Sequence, residues 1–175
     1  LNSGAYRKTR AMILLGYFQG FRVSSIAAVH GHDIDLDSGL IRTVAKGSKR
    51  LTFPLHPTVA ELAHSMPADD WWFPARGGRE GHIQPGAVTD AVRDAKARAG
   101  ITDPRLTAHS LRHAFGTDLV DGGVDIRVIA ELMGHESVAT TQIYTQVSAE
   151  RKRAGIHALE AVPVPRHSGR GQMAA

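Results

Sequence analysis

The chain has 175 residues, of which 42% are hydrophobic and 22% charged, no cysteine, and a formal net charge of +4. That length suits one domain with a real core, or one domain plus a tail, and the missing cysteines exclude disulfides, thiolate catalysis and cysteine-based zinc sites. No apolar run approaches the roughly 20 residues that span a bilayer, and nothing resembles a signal peptide, so a cytoplasmic protein is expected. The charge is unevenly placed. Residues 1–50 carry eight Lys/Arg against three Asp, and residues 151–175 carry five against one Glu, while residues 101–150 are net acidic. The excess is compatible with a polyanionic partner, although many soluble domains are as basic.

In chain order, Tyr6 to Gln19 reads as an amphipathic helix with Tyr6, Arg10, Ile13 and Leu14 at helical spacing, stopped by Gly20. Val23 to Val29 reads as a short second helix, and residues 33–39 as a turn. Residues 40–44 and 50–53 are strand-like and flank the basic turn Lys46-Gly47-Ser48-Lys49, which predicts a β-hairpin with lysines at its tip. Pro57 and Pro85 each open a helix, the second running to about Ala99 before Gly100. Between them, Trp71-Trp72-Phe73-Pro74 suggests a short strand leading into an exposed loop; the tryptophans read as core, and His30 and His32 as loop residues.

Residues 108–121 predict a further helix closed by Gly122-Gly123, followed by one capped by Asp125 and ended by Gly134. Ser137 caps a short helix carrying Thr141 and Tyr144, and Arg151 to Glu160 fits one more. Residues 161–175 are rich in Pro and Gly and read as a flexible tail. The fold class expected is mixed α/β (α+β), mainly helical with a small antiparallel β-sheet, and there is no internal repeat.

Four features carry chemical interest: Gly20-Phe21-Arg22, the Lys46 hairpin, His109-Ser110-Leu111-Arg112, and Gly134-His135 with Tyr144 nine residues later. In this order they form Arg…Lys…His-x-x-Arg…Gly-His…Tyr. With that pattern the chain closely resembles the tyrosine recombinases, the phage integrase family, over residues 6–160 or so. The resemblance implies a catalytic domain over residues 1–160 that cuts and rejoins DNA through a covalent 3′-phosphotyrosine.

Each implied role matches the chemistry of its residue. Attack on a phosphodiester places extra negative charge on the non-bridging oxygens, and Arg22 and Arg112 supply planar, permanently charged groups for it. Tyrosine, with a reference pKa near ~10, is a weak nucleophile at neutral pH, so Tyr144 needs positive surroundings or a base, and His109 is the family's candidate. Lys46 matches the general acid for the leaving 5′-hydroxyl, and His135 hydrogen-bonds the phosphate or the nucleophile. Arg22, Lys46, Lys49 and Arg112 are the expected DNA contacts. His109 and Arg112, three apart, are expected to point from one helical face. No cofactor and no metal are implied. The implied partners are double-stranded DNA recombination sites, a homotetramer on paired sites, and accessory DNA-bending or directionality proteins, with no membrane.

Taken singly, each residue has a plainer reading. Arg22 reads as an ion-pair partner for an Asp, Lys46 as a solvated tip lysine with Lys49 as competitor, and His135 as a helix-terminal histidine. Tyr144 reads as an ordinary amphipathic tyrosine. His109 and His113 are four apart, a metal spacing, but no further ligand pattern accompanies them, and His113 is expected to pack within the domain. Jointly, the plain readings demand five coincidences in family order.

Two features depart from the family. Arg22-Val23-Ser24-Ser25 has serine where the family has an acidic residue that helps hold the arginine, and the Lys46 hairpin is shorter than common family versions. The chain also begins almost at the catalytic domain, without the N-terminal DNA-binding domain of family members. A fragment or minimal protein with weak, salt-sensitive DNA binding is therefore expected. Two rival readings stand beside recombination: type IB topoisomerase-like relaxation with the same residues, and a decayed DNA-binding accessory module, which only Ser25 favours.

Overall fold

The long first helix, α1 (Ser3–Phe18), organises the fold, because α2 (Val23–Ala27), α3 (Pro57–Ala63), α4 (Pro85–Arg98) and α5 (Ala108–Asp121) all pack on it. The computed structural model describes residues 3–44 and 50–134. Only the later part of α1 is enclosed. Ala11, Met12 and Leu15 are buried, whereas Tyr6 is 73% exposed, so the apolar stripe does not begin at Tyr6 as its spacing suggested. Tyr17 ties the end of α1 to α5, donating its hydroxyl hydrogen bond to Asp118 Oδ2 at 2.5 Å.

After α2 a single 3-10 turn (Gly31–Asp33) leads into the sheet, which has the order β1-β2-β3. Strands β2 (Leu40–Val44) and β3 (Arg50–Pro54) pair antiparallel with Ile41 opposite Phe53, both buried. A two-residue strand, β1 (Ile34–Asp35), adds to the outer edge of β2. The sequence shows only a turn there, since two residues carry no alternation to read.

The Trp71–Pro74 segment does not form a strand. It makes isolated bridges, His30 to Trp71 and Pro74 to His82, and Trp72 donates its N–H to the Val29 carbonyl. Trp72 and Phe73 are among the largest fully buried side chains, each worth about 1.5–3 kcal/mol of burial. Trp71 is half-buried, with the rings of His30 and His82 each 4.9 Å from it.

The helix ends follow local chemistry. Pro85 starts α4, and Thr107 caps α5 in a reciprocal pair with Ser110. Asp125 accepts from the Arg127 N–H at the start of α6 (Ile126–Leu132). His56 caps α3 through its Nδ1 and stacks on Phe18, ring centroids 4.4 Å apart. The hairpin tip, the helices expected around Tyr144 and after Arg151, and the tail at 161–175 lie outside the described residues.

Candidate active site

Three chain segments converge where the motif residues begin: the turn after α1, the β2–β3 hairpin, and the end of α6. The turn after α1 is Gly20-Phe21-Arg22. Gly20 has φ 61°, and a Cβ there would lie 2.4 Å from Phe115 Cδ1, so both the backbone conformation and the α5 contact require glycine. Phe21 donates its N–H to the Leu15 carbonyl at 3.2 Å and buries its ring near Phe53 of β3. Arg22 then leaves the core. It is the N-cap residue of α2, in extended backbone, and its side chain is exposed. It pairs with no carboxylate among the described residues, and Ser25, half-buried one turn on, supplies no charge in compensation.

Arg112 is arranged differently. Its residue is only 5% exposed. Nη2 donates to the Met133 carbonyl at 2.6 Å, and Nη1 donates to the Gly20 carbonyl. One guanidinium therefore joins the segment leading into Arg22 with the segment leading into Gly134 and His135. Its planar fork suits this, because divergent N–H groups reach two carbonyls at once. His109, one turn earlier on α5, is exposed. The shared helical face thus holds one solvent-facing imidazole and one inward-turned guanidinium. His113 is exposed, because the next position on α5 turns away from the core-facing side that Arg112 occupies. Among the described residues no group of three or more His, Asp or Glu stands close enough to hold a metal ion.

Gly134, at φ 58°, ends α6 against the hairpin, and a Cβ there would lie 2.9 Å from Leu51 Cδ1 and 3.6 Å from Phe53 Cζ. Lys46 and Lys49 of the hairpin tip, and His135 and Tyr144 beyond Gly134, lie outside the described residues. The structure therefore brings together the segments that bear Arg22, Arg112 and His109, and sets the two flanks from which Lys46 and His135 continue.

Sequence reasoning missed Gln19. It is 4% exposed, donates from Nε2 to the Pro54 carbonyl at 3.0 Å, and accepts at Oε1 from the His56 N–H at 2.7 Å. Its position directly before Gly20 was the only available signal. No helix among the described residues is long and apolar enough to cross a membrane.

The sequence matches the phage integrase family over residues 2–151, and the chain belongs to that family. Its fold is that of a tyrosine recombinase catalytic domain. The chain is 36% identical over 151 residues to the tyrosine recombinase XerD of Caulobacter vibrioides, covering 79% of this chain and 49% of that protein. It is 33% identical to the tyrosine recombinase XerC of Mycobacterium bovis, covering 84% of this chain and 52% of that protein. The chain thus spans about half the length of the curated relatives it matches. Among solved structures, the integrase from mycobacterium phage Brujita superposes with a TM-score of 0.68 at 42% identity, covering 87% of this chain and 52% of that one. The XerH site-specific recombinase bound to its palindromic difH substrate, in a post-cleavage complex, shares the fold with a TM-score of 0.73 at 23% identity, covering 91% of this chain and 48% of that one.

Proposed function

We propose that the chain is the catalytic domain of a site-specific tyrosine recombinase, with Tyr144 as nucleophile. The Tyr144 oxygen attacks the scissile phosphorus, the bond to the 5′-oxygen breaks, and Lys46 protonates the departing hydroxyl. A 3′-phosphotyrosyl link results, and the 5′-hydroxyl of a second strand reverses the step without added energy. Arg22 and Arg112 neutralise the non-bridging oxygens, His109 accepts the tyrosine proton, His135 hydrogen-bonds the phosphate, and Lys49 adds to DNA contact. The observation that carries this reading is the Arg112 guanidinium. In a member of this family, it links the chain entering Arg22 to the chain entering His135, which supports a shared site between them.

The domain occupies residues 1–160, followed by a tail at 161–175. Its partners are paired double-stranded recombination sites, on which it acts as a homotetramer with accessory DNA-bending or directionality proteins, in the cytoplasm at the nucleoid. Binding by this chain alone runs mainly through phosphates and falls steeply with salt.

The test is covalent capture from a pool of nicked duplexes of random sequence, followed by denaturing electrophoresis. A protein–DNA band with the unaltered chain, absent with Tyr144→Phe, supports the reading; equal bands from both chains overturn it.

A further inference from the structure

The Gly20–Arg22 turn is held on three sides. Arg112 grips the Gly20 carbonyl, the Phe21 ring is buried near Phe53, and the Gln19 carboxamide reaches the last residue of β3 and the chain just after it. The third hold has a specific chemical demand. Pro54 presents a carbonyl and no N–H, while His56, two residues on, presents an N–H. A single side chain serving both must offer a donor and an acceptor at fixed separation, which a carboxamide does. Glutamate has no donor for Pro54, methionine has neither group, and asparagine is one methylene short. The neighbouring Phe18–His56 stack keeps the two chains in register.

Arg22 itself is exposed and has no carboxylate partner among the described residues, and Ser25, one turn on, carries no charge. Its placement therefore depends on its backbone, and Gln19, three residues earlier, anchors that backbone to the strand that descends from the Lys46 tip. We propose that Gln19 is a positioning residue for Arg22, fixing the turn so that the guanidinium meets the scissile phosphate; this rests on the recombinase reading given above. Gln19 touches no DNA.

The test is a double-mutant cycle on single-turnover cleavage. The probe is a nicked duplex recovered by covalent capture on the unaltered chain. The variants are Gln19→Met, Arg22→Ala and the two combined, each assayed well below its thermal midpoint. Gln19→Asn serves as a second, milder change. Misplacing a charge-neutralising group by a fraction of an ångström to an ångström lowers rate by roughly 10- to 100-fold. Gln19→Met is expected to lower the cleavage rate constant in that range with DNA affinity unchanged, and Gln19→Asn to lower it less. The double variant is expected to cleave no more slowly than Arg22→Ala alone. On a probe with a methylphosphonate at the scissile position, which carries one negative charge less than the phosphodiester throughout the reaction, the Gln19→Met defect is expected to shrink.

A purely structural Gln19 gives the opposite pattern: equal fold-losses with and without Arg22, and an undiminished defect on the methylphosphonate. That result overturns the proposal and leaves the recombinase reading standing. If Arg22→Ala cleaves normally, the recombinase site assignment falls and the coupling falls with it.

Discussion

Arg112 of α5 donates a 2.6 Å hydrogen bond from Nη2 to the main-chain carbonyl of Met133, the last residue before Gly134. Its Nη1 serves the Gly20 carbonyl on the opposite side. The residue is buried, so these bonds are made away from competing water, where leaving a carbonyl unsatisfied costs about 1–3 kcal/mol. Arg112 thus carries a structural task beside its proposed contact with the phosphate. The distinction matters for how variants are read, because loss of activity at Arg112 mixes two causes.

Arg112→Lys keeps the charge and loses the fork. An ammonium on a flexible stem does not span both carbonyls in the same plane. The expected result is a loss of about 2 kcal/mol, seen as a fall of roughly 4–8 °C in the thermal midpoint. Arg22→Lys, at an exposed side chain, is expected to change stability by less than about 0.5 kcal/mol. Thermal melts of the two variants side by side check this; equal midpoints would show that the carbonyl bridge contributes nothing.

Gly20→Ala is expected to be worse than Gly39→Ala. Both glycines have left-handed backbones, φ 61° and 65°, and share that conformational cost of about 1–2 kcal/mol. Nothing lies within 4 Å of a Cβ at Gly39, whereas at Gly20 the Phe115 ring lies at 2.4 Å and must move. The extra cost is about 1–3 kcal/mol, read as the difference between the two chemical denaturation midpoints.

Tyr17 and Asp118 give a pH signature. The hydrogen bond to Asp118, and then that carboxylate's negative charge, raise the Tyr17 pKa above 10.0. A phenol whose pKa is raised on folding stabilises the fold while protonated. The contribution is therefore complete below pH 10 and is lost as pH rises through the folded value. Tyr17→Phe is expected to be destabilised by about 1 kcal/mol at neutral pH. The gap to the unaltered chain should close in the alkaline range, as followed by urea titrations at stepped pH.

How much of this was legible beforehand depends on the kind of signal. Stops and caps were readable because single residues set them: Gly20 and Gly134 ended helices where expected, and Asp125 opened α6. The β2–β3 pairing followed from β-branched runs around a basic turn. Tertiary direction was not readable. Spacing placed His109 and Arg112 on one face, but only packing decides that Arg112 turns inward to two carbonyls while His109 faces solvent. The Tyr6 stripe failed for the same reason, since α1 is enclosed only from Ala11 onward. Beyond its place directly before Gly20, Gln19 had no sequence signal, because its partners are backbone groups, which every sequence supplies. His113 was expected to pack within the domain, and its residue is exposed.

Lys46 and Lys49 are separable by leaving-group chemistry. A general acid is needed only while the departing oxygen is a poor leaving group. Lys46→Ala is expected to lose about 100-fold or more in cleavage of an ordinary phosphodiester. Most of that loss should be regained when the bridging 5′-oxygen is replaced by sulfur. Lys49→Ala should lose DNA affinity, with a shallower salt dependence and no sulfur rescue. Rescue of Lys49→Ala instead would move the general acid to that residue.

The central claim is tested most directly by locating the covalent bond. The adduct formed on nicked DNA is digested with nuclease and trypsin, and the peptides are sequenced by mass spectrometry. Cleavage after Arg127 and Arg151 releases a peptide in which Tyr144 is the sole tyrosine, alongside Ser137, Thr140, Thr141, Thr145 and Ser148. A 3′-nucleotide remnant on Tyr144 is the predicted result. A remnant on any of those hydroxyls, or on another peptide, would contradict it.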